Sequence, residues 1–170
     1  MQTTTLSLKA RALRLLALRE HSRAELERKL SGVRKPGQEP PDATVLGALL
    51  DELQALGLLD ERRFAESLVR RRQAKYGSQR IVRELRTHGL DPEAIAPLIA
   101  QQSDELARAL RILRKRHPEA PVSAQDRARQ QRFLQARGFS TDVARQAMKQ
   151  RGDAGPDIDL EDDADDSTWA

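Results

Sequence analysis

Residues 57–91 read GLLDERRFAESLVRRRQAKYGSQRIVRELRTHGLD. Within this stretch Phe64, Ala65, Leu68 and Val69 recur at the three- and four-residue spacing that places side chains on one helix face, which predicts a helix over 60–76 and a second over 78–88. Glycine punctuates the pattern. Gly57, Gly77 and Gly89 each follow a periodic run, where a residue without a Cβ can end a helix in the left-handed conformation. After Gly57 and Gly89 comes a leucine that can fold back onto the last turn. Asp91-Pro92-Glu93 then offers a cap, a proline at the first helical position and an acid in the first turn, opening a third helix over 92–102. No alternation of β-branched residues intervenes, so the unit is a helical triad.

The same signals continue in both directions. Helices are predicted over 6–20, 22–31, 43–56, 60–76, 78–88, 92–102, 104–117, 124–137 and 141–151, in three groups of three. Ser22 with Glu25 fits a capping box, and Asp42, Ser78, Ser123 and Ser140 precede other periodic runs. Gly32, Gly138 and Gly152 supply further stops, Gly138 with Phe139 behind it. Leu46, Leu49, Leu50 and Leu53 give the third helix its apolar stripe, and Leu106, Leu110 and Leu113 do so for the seventh. At an offset of 49, Leu85, Gly89 and Leu90 fall on Leu134, Gly138 and Phe139. At an offset of 55, Ala10, Leu13, Leu26 and Leu30 fall on Ala65, Leu68, Ile81 and Leu85.

The expected fold is all-α: an elongated array of three tandem three-helix, helix-turn-helix-like repeats at 1–58, 59–102 and 103–152, followed by an acidic tail at 153–170. Each unit is too small to bury much core alone, so neighbours are expected to stack. Residues 32–41, GVRKPGQEPP, read as a mobile insertion in the first repeat, and the tail is too poor in apolar residues to order itself.

Composition narrows the chemistry. Aromatic residues are only 3% of the 170, so the core is aliphatic and a deep pocket is not expected. With no cysteine, disulfide scaffolds, thiol nucleophiles and cysteine-ligated metals are excluded, which fits a reducing cytoplasm. No apolar run is long enough to span a membrane and the N-terminus lacks a secretory apolar core, so a cytoplasmic location is expected. The net charge of +4 hides an uneven layout: residues 153–170 carry eight acids and no Lys or Arg, leaving residues 1–152 at about +12. A basic body of this kind suits a polyanionic partner, because neutralised phosphates release counterions.

Catalytic constellations are missing from the pattern. His21, His88 and His117 stand apart near helix ends, without metal-ligand spacing, and are expected to interact with helix dipoles. Neither a phosphate-loop GKS or GKT nor a GxGxxG occurs, and acid pairs such as Asp60-Glu61 lie at helix starts, so no catalytic residue, cofactor or metal is assigned. The basic clusters remain. Arg62, Arg63, Arg70, Arg71, Arg72 and Lys75 crowd the fourth helix, Arg80, Arg83 and Arg86 recur on the fifth, and Arg108, Arg111, Arg114, Lys115 and Arg116 lie on the seventh. Base stacking is not expected there, since Tyr76 is the one aromatic near them.

The 57–91 stretch closely resembles the RecX family, regulators of the bacterial recombinase RecA. The resemblance rests on the Gly-apolar-apolar-Asp opening, Arg63-Phe64-Ala65, the basic helix, the turn at Gly77, Arg80-Ile81, Glu84-Leu85 and the Gly89 stop, in that order. Residues 11–30 and the third repeat to about 150 support it more weakly. It implies a non-enzymatic modulator that lies in the groove of the RecA filament, inhibits its ATPase, strand-exchange and coprotease activities, and binds single- and double-stranded DNA more weakly and without sequence preference. A monomer is expected, with Arg70, Arg71, Arg72, Lys75, Arg80, Arg83, Arg86, Arg111, Arg114 and Lys115 as the recombinase- and DNA-binding residues. Phe64, Ile81 and Leu85 match family positions as core. The alternative is a helix-turn-helix DNA-binding protein without a recombinase partner, although no clear Asn or Gln pair faces a groove. The insertion and the tail depart from the family pattern, and the tail's acids are expected to compete within the chain for its basic face.

Overall fold

The computed structural model describes residues 7–32, 41–102 and 104–153; the sequence features assigned to 33–40 and 154–170 lie outside the described residues. Among the described residues there are nine helices and no strand: α1 (Leu8–Leu18), α2 (Arg23–Gly32), α3 (Ala43–Ala55), α4 (Glu61–Gln73), α5 (Ser78–Thr87), α6 (Pro92–Ala100), α7 (Glu105–Arg116), α8 (Ala124–Ala136) and α9 (Thr141–Asp153). The helix pairs that pack most heavily all fall inside one triad, α1–α3, α4–α6 or α7–α9.

Each triad closes on its own core. Ala12, Leu26, Leu30, Leu46, Leu49, Leu50, Leu53 and Leu59 form the first. Phe64, Ala65, Leu68, Val69, Ile81, Leu85, Leu90 and Ile95 form the second. Ala109, Leu113, Leu134, Phe139, Ala144, Ala147 and Met148 form the third. The chain is therefore a linear array of small cores, each held by about 2 kcal/mol for every fully buried aliphatic side chain. The 49-residue offset holds for these cores: Leu85 and Leu134 are both fully buried. The offset of 55 holds for α2, whose Leu26 and Leu30 match Ile81 and Leu85, but not for α1. There Ala12, Leu15 and Leu16 face inward, two residues out of register, and Leu13 is 38% exposed.

Three of the six expected glycine stops are left-handed: Gly57 at φ 67°, Gly89 at 87° and Gly138 at 83°. They are the three followed by a large apolar residue, and each closes the same way. Leu58, Leu90 and Phe139 donate their N–H to Leu53, Leu85 and Leu134 at 2.9, 3.3 and 3.2 Å, while the glycine N–H bonds three residues back. The other three are corrected. Gly32 is the last residue of α2 but is not left-handed, Gly152 lies inside α9, and Gly77 is extended, at φ −77°, as the cap residue before α5. Gly77 and Gly152 are followed by Ser78 and Asp153, so no apolar residue seals a last turn there and nothing favours the left-handed stop. Ser78, expected to be that cap, is instead the first residue of α5.

The triads meet through polar contacts that repeat. Glu61 opens α4 and accepts the Arg23 N–H at the start of α2 (2.8 Å); Glu105 opens α7 and accepts the Ser78 N–H at the start of α5 (2.7 Å). In each case the first helix of one repeat caps the middle helix of the repeat before it, satisfying donors no intrahelical carbonyl can reach. Asp60 and Asp104, one residue earlier, cap their own helices. The acid pairs at helix starts are thus joints of the array. Arg63 adds a bond to Glu20 of the first repeat at 3.0 Å.

The second and third repeats touch backbone to backbone. Gly77 N–H donates to the Arg137 carbonyl at 3.0 Å and Gln79 N–H to the Gly138 carbonyl at 3.1 Å. A Cβ on Gly77 would overlap the Gly138 carbonyl, and one on Gly138 would overlap Arg80. Between the first and second repeats lies an open cleft of about 580 Å³, floored by Ala65, Leu90, Ala94 and Leu98 and rimmed by Arg23 and Arg62. The cleft is open to solvent, and the joint beside it is held at a few polar points.

One carboxylate ties the first repeat to pH. Glu25 is 5% exposed, and Arg19, His21 and Lys29 surround it, with Nδ1 of His21 3.1 Å and Nζ of Lys29 3.4 Å away. Burial pushes its carboxyl up, but the Arg19 hydrogen bonds and the neighbouring positive charges outweigh burial and hold it at about 2. An unfolded glutamate titrates near 4.5. This contribution is therefore complete above about pH 4.5 and drains away as pH falls toward 2, by on the order of 1–3 kcal/mol. Urea unfolding at pH 6 and pH 3 should show Glu25→Gln losing much less stability on acidification than the parent chain; equal losses would refute the assignment.

Candidate polyanion-binding surface

All ten side chains assigned to binding, Arg70, Arg71, Arg72, Lys75, Arg80, Arg83, Arg86, Arg111, Arg114 and Lys115, are exposed. At about 100° per residue they divide into groups. The core face of α4 carries Phe64, Ala65, Leu68 and Val69. Arg72 continues that side beyond the end of the core, Arg71 lies to its flank, and Arg70 points away from it.

The structure gathers its tightest cationic group where α4, α5 and the end of α8 meet. The Arg80 guanidinium lies over the Tyr76 ring, 4.0 Å from its centre, and Arg72 stands 5.8 Å from the same ring. Glu84 holds Arg72 at 2.6 Å. Arg137 of the third repeat reaches in, donates to the Lys75 carbonyl at 3.1 Å, and packs 4.6 Å from the Phe133 ring. Two cations, Arg72 and Arg80, thus flank the Tyr76 ring, and Arg137 reaches the neighbouring Lys75 carbonyl from the next repeat. The ring braces guanidinium groups and has little face left for a base. Arg137 carries no sign of this role in sequence, because only the packing of the third repeat on Gly77 brings it here.

A second group straddles the first joint. Partial burial and the charges of Arg19 and Arg72 lower the Arg71 pKa, as expected where cations crowd. Arg83 and Arg86 occupy the outward face of α5, opposite Ile81 and Leu85. On α7, Arg111, Arg114 and Lys115 lie within about 100° of one another, opposite Ala109 and Leu113.

Other basic residues leave the sequence-derived clusters. Arg108 is 1% exposed: it donates to Ser78 Oγ at 3.2 Å and to Gln102, bridging the second and third repeats. Its place one turn after Glu105 turns it inward toward the joint, so it is structural. Arg62 pairs with Glu66, and Arg63 with Glu20, Asp60 and the Gly57 carbonyl. His88 and His117 stand at helix ends, as the C-cap residues of α5 and α7, and pack edge-on against Phe64 and Phe133, with ring centres at 4.9 and 5.2 Å. Burial lowers the pKa of all three histidines, which weakens any interaction of a charged imidazole with a helix dipole.

A linear array of three-helix units, joined by capping carboxylates and carrying grouped arginines at its joints, defines a tandem-repeat helical protein with an arginine-rich outer surface. The family model for the RecX second three-helix domain matches residues 60–96, and that for the third three-helix domain matches 103–148. The regulatory protein RecX of Herbaspirillum seropedicae is 46% identical over 150 residues, spanning 88% of this chain and 94% of its own. That of Ralstonia nicotianae is 48% identical over 139 residues, spanning 81% and 84%. The crystal structure of RecX from Lactobacillus salivarius shares the fold, with a TM-score of 0.70 at 19% identity over 86% of this chain and 96% of that one. The chain belongs to the RecX family. Among its described residues no helix is long and apolar enough to cross a membrane.

Proposed function

We propose that this chain is a non-enzymatic, monomeric, cytoplasmic regulator that binds the RecA–DNA filament and inhibits its ATPase, strand-exchange and coprotease activities. Single- and double-stranded DNA bind the same surface more weakly. The working units are the repeats at 1–58, 59–102 and 103–152. The reading rests on family membership together with one observation: Arg72 and Arg80 flank Tyr76 at the joint between two repeats, where Arg137 of the next repeat bonds the Lys75 carbonyl. A filament presents the same surface at regular intervals, so a linear array with cations at its joints can make several modest contacts at once. Avidity then exceeds any single contact. A rod seated in this way obstructs both subunit addition and the path of a second DNA strand.

The test is recombinase ATP hydrolysis on single-stranded DNA with substoichiometric protein added, paired with capture on coated and naked DNA. Hydrolysis should fall well before one protein per recombinase is present, and coated strands should capture the chain better than naked duplex. Unchanged hydrolysis, with preferential capture by one duplex sequence, would favour the helix-turn-helix alternative, for which the outward Arg83 and Arg86 of α5 would be the groove-facing cations.

A further inference from the structure

The last helix delivers the chain to a particular place. Arg151, 6% exposed, donates to the carbonyls of His117, Pro118 and Glu119 at 2.7, 3.3 and 2.6 Å. These bonds pin the end of α9 beside the end of α7, and the charge of Arg114 acts on Arg151 there. The end of α7 is strongly basic: Arg111, Arg114, Lys115 and Arg116 are all exposed, and between Leu106 and Gln125 the chain holds one acid, Glu119. Beyond Asp153, residues 154–170 carry seven acids and no Lys or Arg.

We infer that the α7 strip of Arg111, Arg114 and Lys115 is the docking surface for the chain's own acidic segment 154–170, which competes there with polyanions. Complementary charge and the point of attachment carry this assignment. Seventeen residues of chain reach at most about 60 Å, and the 12-residue α7 is about 18 Å long. The segment can therefore cover the strip from where it leaves the fold, at an effective concentration in the millimolar range. A polyanion arriving at the strip must displace bound carboxylates, so fewer counterions are released and binding depends less steeply on salt. The competition half of this inference rests on the proposed function; the docking half does not.

Trp169, the one tryptophan, reports on docking, and the absence of cysteine allows a single labelling site. Full-length chains carrying an energy-transfer acceptor at Ala120→Cys, beside the strip, or at Ala48→Cys, in the first repeat, are compared with the same chains in which the seven acids are changed to Asn or Gln. Transfer from Trp169 to position 120 should be high at low salt, exceed that to position 48, and fall on adding salt, on neutralising the acids, or in Arg111→Glu/Lys115→Glu. Transfer indifferent to all three changes would overturn the docking. Neutralising the acids should also tighten binding to a random single strand about 10-fold at low salt and steepen its salt dependence; unchanged affinity would overturn the competition. If neither chain binds DNA or filament at all, the proposed function fails, and the fluorescence still decides the docking.

Discussion

Gly77→Ala is expected to destabilise the joint between the second and third repeats by about 3–5 kcal/mol, lowering the unfolding temperature by roughly 10 °C. Nothing local disfavours alanine there. At φ −77° and ψ 164° the backbone is extended and open to any residue, and less freedom in the unfolded chain would by itself favour alanine slightly. The cost is wholly tertiary: the new methyl would occupy the space of the Gly138 carbonyl and the Phe139 nitrogen. Both are backbone, so relief requires the repeats to part. Parting them breaks the Gly77–Arg137 and Gln79–Gly138 hydrogen bonds and strains the Glu105 cap on Ser78. Gly57→Ala is the control, because an added Cβ meets nothing within 4 Å and only left-handed strain at φ 67° opposes it, about 1 kcal/mol. Thermal unfolding with solution scattering reads both effects. Loss of 1 kcal/mol or less in Gly77→Ala, with an unchanged scattering profile, would contradict the tight joint.

The combined variant Arg72→Gln, Arg80→Gln and Arg83→Gln is expected to weaken binding to recombinase-coated single-stranded DNA by about 100-fold near 0.1 M salt. Each lost phosphate contact lowers the log–log salt slope by about 0.7 to 0.9, so three lower it by about 2. Folding should change little, because the three are exposed and surface pairs such as Arg72–Glu84 are worth about 1 kcal/mol or less. Arg63→Gln should do the reverse, leaving binding intact while loosening the first joint through loss of its Glu20 bond. A salt titration of affinity for both variants separates these outcomes. An unchanged slope in the triple variant would remove the Tyr76 group from the interface.

Much of the fold was legible because helices are written locally. The α4 and α5 faces, the left-handed stops at Gly57, Gly89 and Gly138, and the caps at Asp42 and Ser123 depend on residues within one or two turns. The errors share a cause. Gly77 looks like a stop and is a contact surface; Ser78 looks like a cap and is itself capped; Arg108 looks like one more surface arginine and is buried. Each is decided by a residue 27 or more positions away, which no local pattern reports. The site divides in the same way. All ten predicted cations are exposed, but Arg137, which bonds the Lys75 carbonyl beside Tyr76, comes from another repeat.

From the amino-acid order alone came the helical class, the threefold repetition, the basic body and the acidic segment, since periodicity, punctuation and net charge are properties of neighbours along the chain. Only the folded array decided which charges stand together and which are consumed as joints. Carboxylates and arginines of the same kind serve either purpose, and the choice depends on whether the next repeat presents a bare helix end or backbone within reach.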